Sequence, residues 1–252
     1  MRNKGQVTIF VIVGIIIVVA IAFIFFIDTN KITSRGQDFD NPESFVDNCI
    51  RERAYEVINE MFAGAGFIGV NDTILYQGNK ITYLCKNINN FEPCINQHPV
   101  YLSQIKKEFE SEIKDDVEQC FASVKQEFIR KNYKFESGSI TVKAEIKPAI
   151  VEISTFNDVS ISKGGFSKTF KKFDTSVQSS LYDIAFIANE IVDQEAKWCH
   201  FSNDGFMILY PDYDIRVYQL DDTTKIYTIM DKNTKDKLMM ATRGCAMPAG
   251  LF

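Results

Sequence analysis

The sequence predicts an α+β fold: one N-terminal transmembrane helix, then an exterior domain of about three helices packed on antiparallel sheet. Three observations carry this reading. Residues 7–27 form an uncharged, almost wholly apolar run of 21 residues. Beyond it, stripes of apolar residues spaced by three or four and stretches of strict alternation fall in separate runs, the order expected of α+β rather than of βαβ units. Six cysteines, an even number, suit a disulfide-bonded domain on the oxidising side of a membrane. The boundaries read as 1–5 cytoplasmic or leader segment, 6–27 transmembrane helix, 28–41 linker, 42–196 exterior α+β domain and 197–252 a C-terminal β appendage that can belong to the same domain.

A helix of 21 residues rises about 32 Å, enough to cross a hydrocarbon core of about 30 Å. A secretory signal peptide has a shorter apolar core and a small-residue cleavage site. This run ends in Phe-Ile-Phe-Phe-Ile-Asp, without that site. Arg2, Lys4 and the α-amino group precede it closely, whereas Asp28, Lys31, Arg35, Asp38 and Asp40 follow with mixed signs. The density of positive charge favours an inside N-terminus and an outside C-terminal domain, localised to the cell membrane by a single pass. The lipid bilayer is then the first partner.

Lys4-Gly5-Gln6-Val7-Thr8, followed directly by the apolar run, resembles the archaeal class III signal peptide of type IV pilin-like proteins. The resemblance implies leader cleavage between Gly5 and Gln6. Members of that family often carry Glu at the fifth position after the cut, where it neutralises a neighbour's amine in the filament; here that position is Phe10. The layout, with this start and a Cys-bearing first exterior helix, is also similar to membrane-anchored proteins of small-genome archaea. In typical pilins the membrane helix runs rigidly into the head. Residues 28–41 are instead polar, hold Gly36 and precede Pro42, which is a linker composition and suits a tethered domain.

The exterior elements follow in order. Asn41-Pro42-Glu43 starts a helix: a capping Asn, proline at the first helical position and an acid at the positive end of the dipole. Val46, Ile50, Ala54, Val57 and Met61 give its buried stripe, and Gly64 ends it. Residues 73–76 and 81–84 flank a turn at 77–80 and read as a hairpin. A polar loop with Cys94 and Pro99 leads into a helix of about thirty residues, striped by Leu102, Ile105, Phe109, Ile113, Val117, Cys120, Phe121, Val124 and Phe128. Residues 139–147 alternate as a half-buried strand, and 149–154, 159–162 and 167–173 extend a meander, with turns at Asn157-Asp158 and Gly164-Gly165. A third helix is expected over 175–195, capped by Asp174. Strands are expected at 206–209, 215–220, 226–230 and 237–241.

Composition excludes several classes. With 46% hydrophobic and 24% charged residues the chain folds, and 13 glycines and 6 prolines are too few for a collagenous or low-complexity chain. A net charge of −5 gives no general attraction to nucleic acid. Two histidines leave little material for a His-based metal or proton-transfer site. Six cysteines allow fifteen pairings; the preferred set is Cys49–Cys120 helix to helix, Cys85–Cys94 closing a short loop and Cys199–Cys245 tying the C-terminal strands. Zinc on Cys85, Cys94 and His98 is the rival, with irregular spacing and no Cys-x-x-Cys. Asn71-Asp72-Thr73 is an N-glycosylation sequon.

No Gly-x-Ser-x-Gly, His-Glu-x-x-His, phosphate-binding glycine loop or EF-hand loop occurs. Cys199 and His200 are adjacent and point apart. Asp204, Asp212 and Asp214 lie on loops where turn chemistry accounts for them without Ca²⁺. Glu145 and Glu152 on facing strands could pair for acid–base hydrolysis, but 33 acids make such pairs common. The expectation is a structural or binding component of the cell envelope, with no catalytic, metal or cofactor residues. Its partners are other envelope or pilus proteins or further copies of itself. A pilin-like subunit polymerising through its apolar helix, and an anchored enzyme with an unrecognised site, are the alternatives.

Overall fold

The computed structural model describes residues 41–69, 72–89 and 91–245, so the expected leader, cleavage position and transmembrane helix lie outside the described residues. Among the described residues no helix is long and apolar enough to cross a membrane. From Pro42 onward the chain forms one compact unit. Among the described residues it is an α+β fold of four helices and two sheets.

Helix α1, Pro42–Ala63, has proline at its first position and Glu43 in its first turn, and buries Val46, Ile50, Ala54, Val57, Ile58 and Met61. Strands β1, Thr73–Tyr76, and β2, Asn79–Lys86, form the expected hairpin, with a turn of only two residues. Both Gln77 (φ 48°) and Gly78 (φ 82°) sit at positive φ, the requirement of the turn whose twist matches a two-residue hairpin. The short β3, Ile95–Asn96, pairs with the end of β2.

Helix α2, Tyr101–Arg130, runs for 30 residues, or about 45 Å, and buries the predicted stripe from Ile105 to Phe128, with Tyr101 in place of Leu102. It lies antiparallel to α1. Phe45 meets Phe128 at one end (6.1 Å between ring centroids), and the Tyr101 hydroxyl donates to the Ala65 carbonyl at the other (2.6 Å).

The four-stranded sheet packs on α2 and α1. Its strands are β4, Lys134–Ser137; β5, Thr141–Lys147; β6, Ile150–Lys163; and β7, Phe166–Gln178. The central β6 pairs with β7 along one edge, and with β5 and then β4 along the other. No turn forms at Asn157-Asp158. The two residues stand opposite Lys171 as a bulge, and β6 continues because both its edges are occupied. The Gly164-Gly165 turn is where expected, with both glycines at positive φ.

The third helix begins later than expected. Residues 175–178 remain in β7 because Phe173, Thr175 and Val177 keep the period-2 inward face and pair with β6 as far as Ile150. Helix α3 is therefore Leu181–Trp198, burying Leu181, Ile184, Ala188 and Ile191. The strand expected at 206–209 is helical: α4, Asn203–Leu209, follows Ser202 and stops before Pro211, and a four-residue apolar run cannot distinguish strand from helix by period. Phe206 and Tyr210, four apart, stack at 4.5 Å between ring centroids.

The three C-terminal strands are β8, Tyr213–Gln219; β9, Thr224–Asp231; and β10, Lys237–Arg243. They share a six-stranded sheet with the N-terminal hairpin, in the order β1-β2-β10-β9-β8 with β3 on β2. The sheet is mixed rather than purely antiparallel: β10, the hairpin partner of β9, runs parallel to β2. Helix α3 covers one face of this sheet.

Three disulfides are present: Cys49–Cys120 joins α1 to α2, Cys85–Cys94 closes the loop after β2, and Cys199–Cys245 ties the end of α3 to the end of β10, with Cα separations of 5.8, 5.3 and 5.8 Å.

Candidate functional site

The six-stranded sheet has one face against α3 and one face turned away, and strict alternation decides which side chains go where. On the outward face β8 supplies Asp214, Arg216 and Tyr218, β9 supplies Ile226, Thr228 and Met230, and β10 supplies Lys237 and Met239. The register aligns them in rows: Tyr218 beside Ile226, Arg216 beside Thr228, and Asp214 beside Met230, which neighbours Lys237.

Tyr76 of β1 approaches Tyr218 of β8, with ring centroids 5.5 Å apart. These two strands are the sheet's outer edges, which in a flat five-strand row would lie about 19 Å apart. The sheet therefore curls until side chains from its two edges meet. The result is a groove of about 590 Å³. Ile81, Tyr83, Ile226 and Ala241 form a buried apolar cluster on this face. A recess of about 350 Å³ shares Asn79, Lys237 and Met239 with the groove and extends to Asn59 and Phe62 at the end of α1.

The groove's charge is simple. Arg216 places Nε and Nη2 each 2.9 Å from Asp214 Oδ2, so that pair is neutral within itself. Lys237 has no carboxylate partner among the described residues. Two tyrosine rings, two methionines, the Gln77 and Asn79 amides and one cation make a surface for gripping an extended ligand of mixed polarity. Aromatic rings give area at low entropy cost, and methionine adapts its shape.

The residues singled out from sequence are differently employed. Cys85 and Cys94 bond to each other, which removes both thiolates from any zinc set. His98 stacks on Phe67 at 4.3 Å and hydrogen-bonds Gln104 at 3.0 Å, a packing role. Among the described residues no group of three His, Cys, Asp or Glu could hold a metal ion. Cys199 is oxidised to a disulfide and His200 is exposed. Asp204 lies in the first turn of α4. Asn71 lies outside the described residues.

Glu145 and Glu152 are indeed opposite each other on β5 and β6. Lys106 Nζ donates to Glu145 at 2.7 Å, and Lys147 Nζ to Glu152 at 2.7 Å. The Lys106 ammonium holds the Glu145 carboxyl below its ordinary range, the opposite of what a general acid needs.

A buried ionic cluster joins α3 to β9 and was not singled out from sequence. Lys225 Nζ lies 2.8 Å from both carboxylate oxygens of Glu195 and 2.8 Å from the Cys199 carbonyl, and the Tyr227 hydroxyl donates to Glu195 Oε1 at 2.5 Å. Burial, with the adjacent Glu195 carboxylate, pushes the Tyr227 hydroxyl far above the usual tyrosine range. It lies on the helix-facing side of the sheet, away from the groove, and acts as a clamp. The alternation of β8, β9 and β10 was legible and could have nominated the outward set. Which strands stand beside β1 was not.

No protein-family model matches the chain, and neither a curated protein nor a solved structure matches it.

Proposed function

We propose that the chain is a membrane-tethered, extracytoplasmic binding protein whose site is the groove over the curled six-stranded sheet. The observation that carries the reading is the Tyr76–Tyr218 contact, which converts a flat sheet face into a concave, aromatic-walled groove. Three disulfides that engage all six cysteines support an exterior domain. The sequence places its membrane segment before Pro42, and α1 carries the chain about 33 Å from there to the recess at Ala63. The groove's chemistry is recognition: an extended segment of an envelope partner, seated between the two tyrosines.

The test is site-specific photo-crosslinking in host cells, with the reactive residue at Met239 in the groove or at Lys107 on the outer face of α2. A discrete adduct from Met239, absent from Lys107 and lost with Tyr218→Ala, is the expected result. Equal or no adducts from the two positions would overturn the groove assignment. Filaments in sheared surface material, built from chains beginning at Gln6, would replace tethering with pilin-like polymerisation.

A further inference from the structure

The end of the domain at which α1 begins is aromatic, and the hairpin tip there is basic. Pro42 opens α1, and Phe45, in its first turn, meets Phe128 near the end of α2. Phe128 continues the aromatic chain to Tyr133 (5.3 Å) and Phe135 (5.8 Å), and Lys163 Nζ sits 4.3 Å above the Tyr133 ring. Lys163 begins the β6–β7 hairpin tip, Lys163-Gly164-Gly165-Phe166-Ser167-Lys168. At this tip Phe166 is 64% exposed. Ile129, in the last turn of α2, is 52% exposed.

Charges around the start of α1 are mixed, with Glu43, Asp47 and Asp174 beside Lys172. The hairpin tip from Lys163 to Lys168, in contrast, holds two lysines and no acid. Glu127 pairs with Arg130 and Lys131, and Glu136 with Lys134. Lys163 and Lys168 instead lie over aromatic rings, Lys168 Nζ being 4.5 Å from the Phe170 centroid. A chain of net charge −5 thus sets two lysines and no acid around this exposed aromatic tip.

We propose that this end rests on the surface of an anionic bilayer, with Phe166 entering the interface and Lys163 and Lys168 meeting lipid headgroups. The inference rests on the tethered reading and adds the orientation of the domain. Residues 28–41 are 14 in number; fully extended they span at most about 50 Å, and a coil of that length averages about 20 Å. Those residues join the described domain at this end, which carries the chemistry that interfaces favour: an exposed aromatic flanked by lysines. Each lysine near an anionic surface strengthens attachment about fivefold.

The chain supplies its own control. Its one tryptophan, Trp198, is 64% exposed at the end of α3. Five residues before it, Asp193 meets Asn96, which precedes the start of α2. Trp198 thus lies on α3, which that hydrogen bond joins near the start of α2, whereas the tip's neighbour Tyr133 packs on Phe128 near the end of α2.

The experiment places the full chain in vesicles of phosphatidylcholine, with or without phosphatidylglycerol, doped with lipids brominated high on the acyl chain. In the double variant Phe166→Trp, Trp198→Phe, tryptophan emission is expected to shift to the blue and to fall by about half in anionic vesicles. Trp198 in the native chain should stay unquenched. Lys163→Glu with Lys168→Glu should abolish the quenching. An unquenched Phe166→Trp variant in chains that float with the vesicles would overturn the inference and leave tethering intact. Chains that do not float overturn tethering itself. Equal quenching in neutral vesicles would remove the role given to the lysines.

Discussion

Lys225 and Glu195 form a nearly buried ion pair between β9 and α3, with side-chain exposures of 16% and 2%. The ammonium reaches both carboxylate oxygens and the Cys199 carbonyl, and Tyr227 takes up one carboxylate oxygen as well, so each polar atom has its complement. The pair fixes the last turn of α3 on the sheet, next to the disulfide that joins Cys199 to Cys245.

Removing one partner strands a buried charge. Lys225→Met should destabilise the domain by about 3–5 kcal/mol, whereas Lys225→Met with Glu195→Leu should recover most of that loss. Urea unfolding midpoints of the three chains check this, and equal losses in the single and double variants would contradict it.

Alkaline pH should weaken the fold through its buried tyrosines. Burial raises Tyr101 and Tyr227 well above the ordinary tyrosine range, and burial with the acids Asp183, Asp231 and Asp212 pushes Tyr213 up to about 12. An unfolded tyrosine ionises near pH 10. Between that value and the folded ones the native state binds more protons than the unfolded, so stability is full below about pH 10 and falls as pH rises above it. Absorbance titration at tyrosinate wavelengths should show exposed tyrosines ionising first and these three only with unfolding or at higher pH.

The disulfides should differ in worth by the length of chain they close. Cys49 and Cys120 are 71 residues apart, which the loop-entropy estimate converts to about 4 kcal/mol; Cys85 and Cys94, 9 apart, give about 3 kcal/mol. Paired alanine variants unfolded in guanidinium should keep this order. Cys49→Ala with Cys120→Ala should also loosen α1 from α2, read as faster amide exchange in both helices.

Thr155 is fully buried in β6, and its hydroxyl has no hydrogen-bond partner among the described residues. Thr155→Val keeps the shape and removes the unpartnered polar group, so stability should stay level or rise by about 1 kcal/mol. A loss in thermal midpoint would show that the hydroxyl is bonded.

Local chemistry made much of the fold legible. Pro42 after Asn41 announced α1, and the spacing from Ile105 to Phe128 announced α2. The Gly164-Gly165 pair announced the β6–β7 turn. Each signal acts within a few residues, through φ restriction, capping or one helical period. The failures had the opposite character. Val177 fits a strand or a helix, and only pairing with Val151 across the sheet assigns it to β7. Asn157-Asp158 is a turn by local preference and a bulge because β6 is held on both edges.

The sequence by itself determined the apolar segment, the buried stripes of the first two exterior helices, and the supply of six cysteines, because periodicity and composition are properties of neighbours along the chain. Only the tertiary structure decided that β10 lies parallel to β2, that Tyr76 meets Tyr218, and that Lys225 finds Glu195. Those meetings join residues from 30 to more than 140 positions apart. They depend on which surfaces pack together once every element has formed, and no local preference encodes that choice.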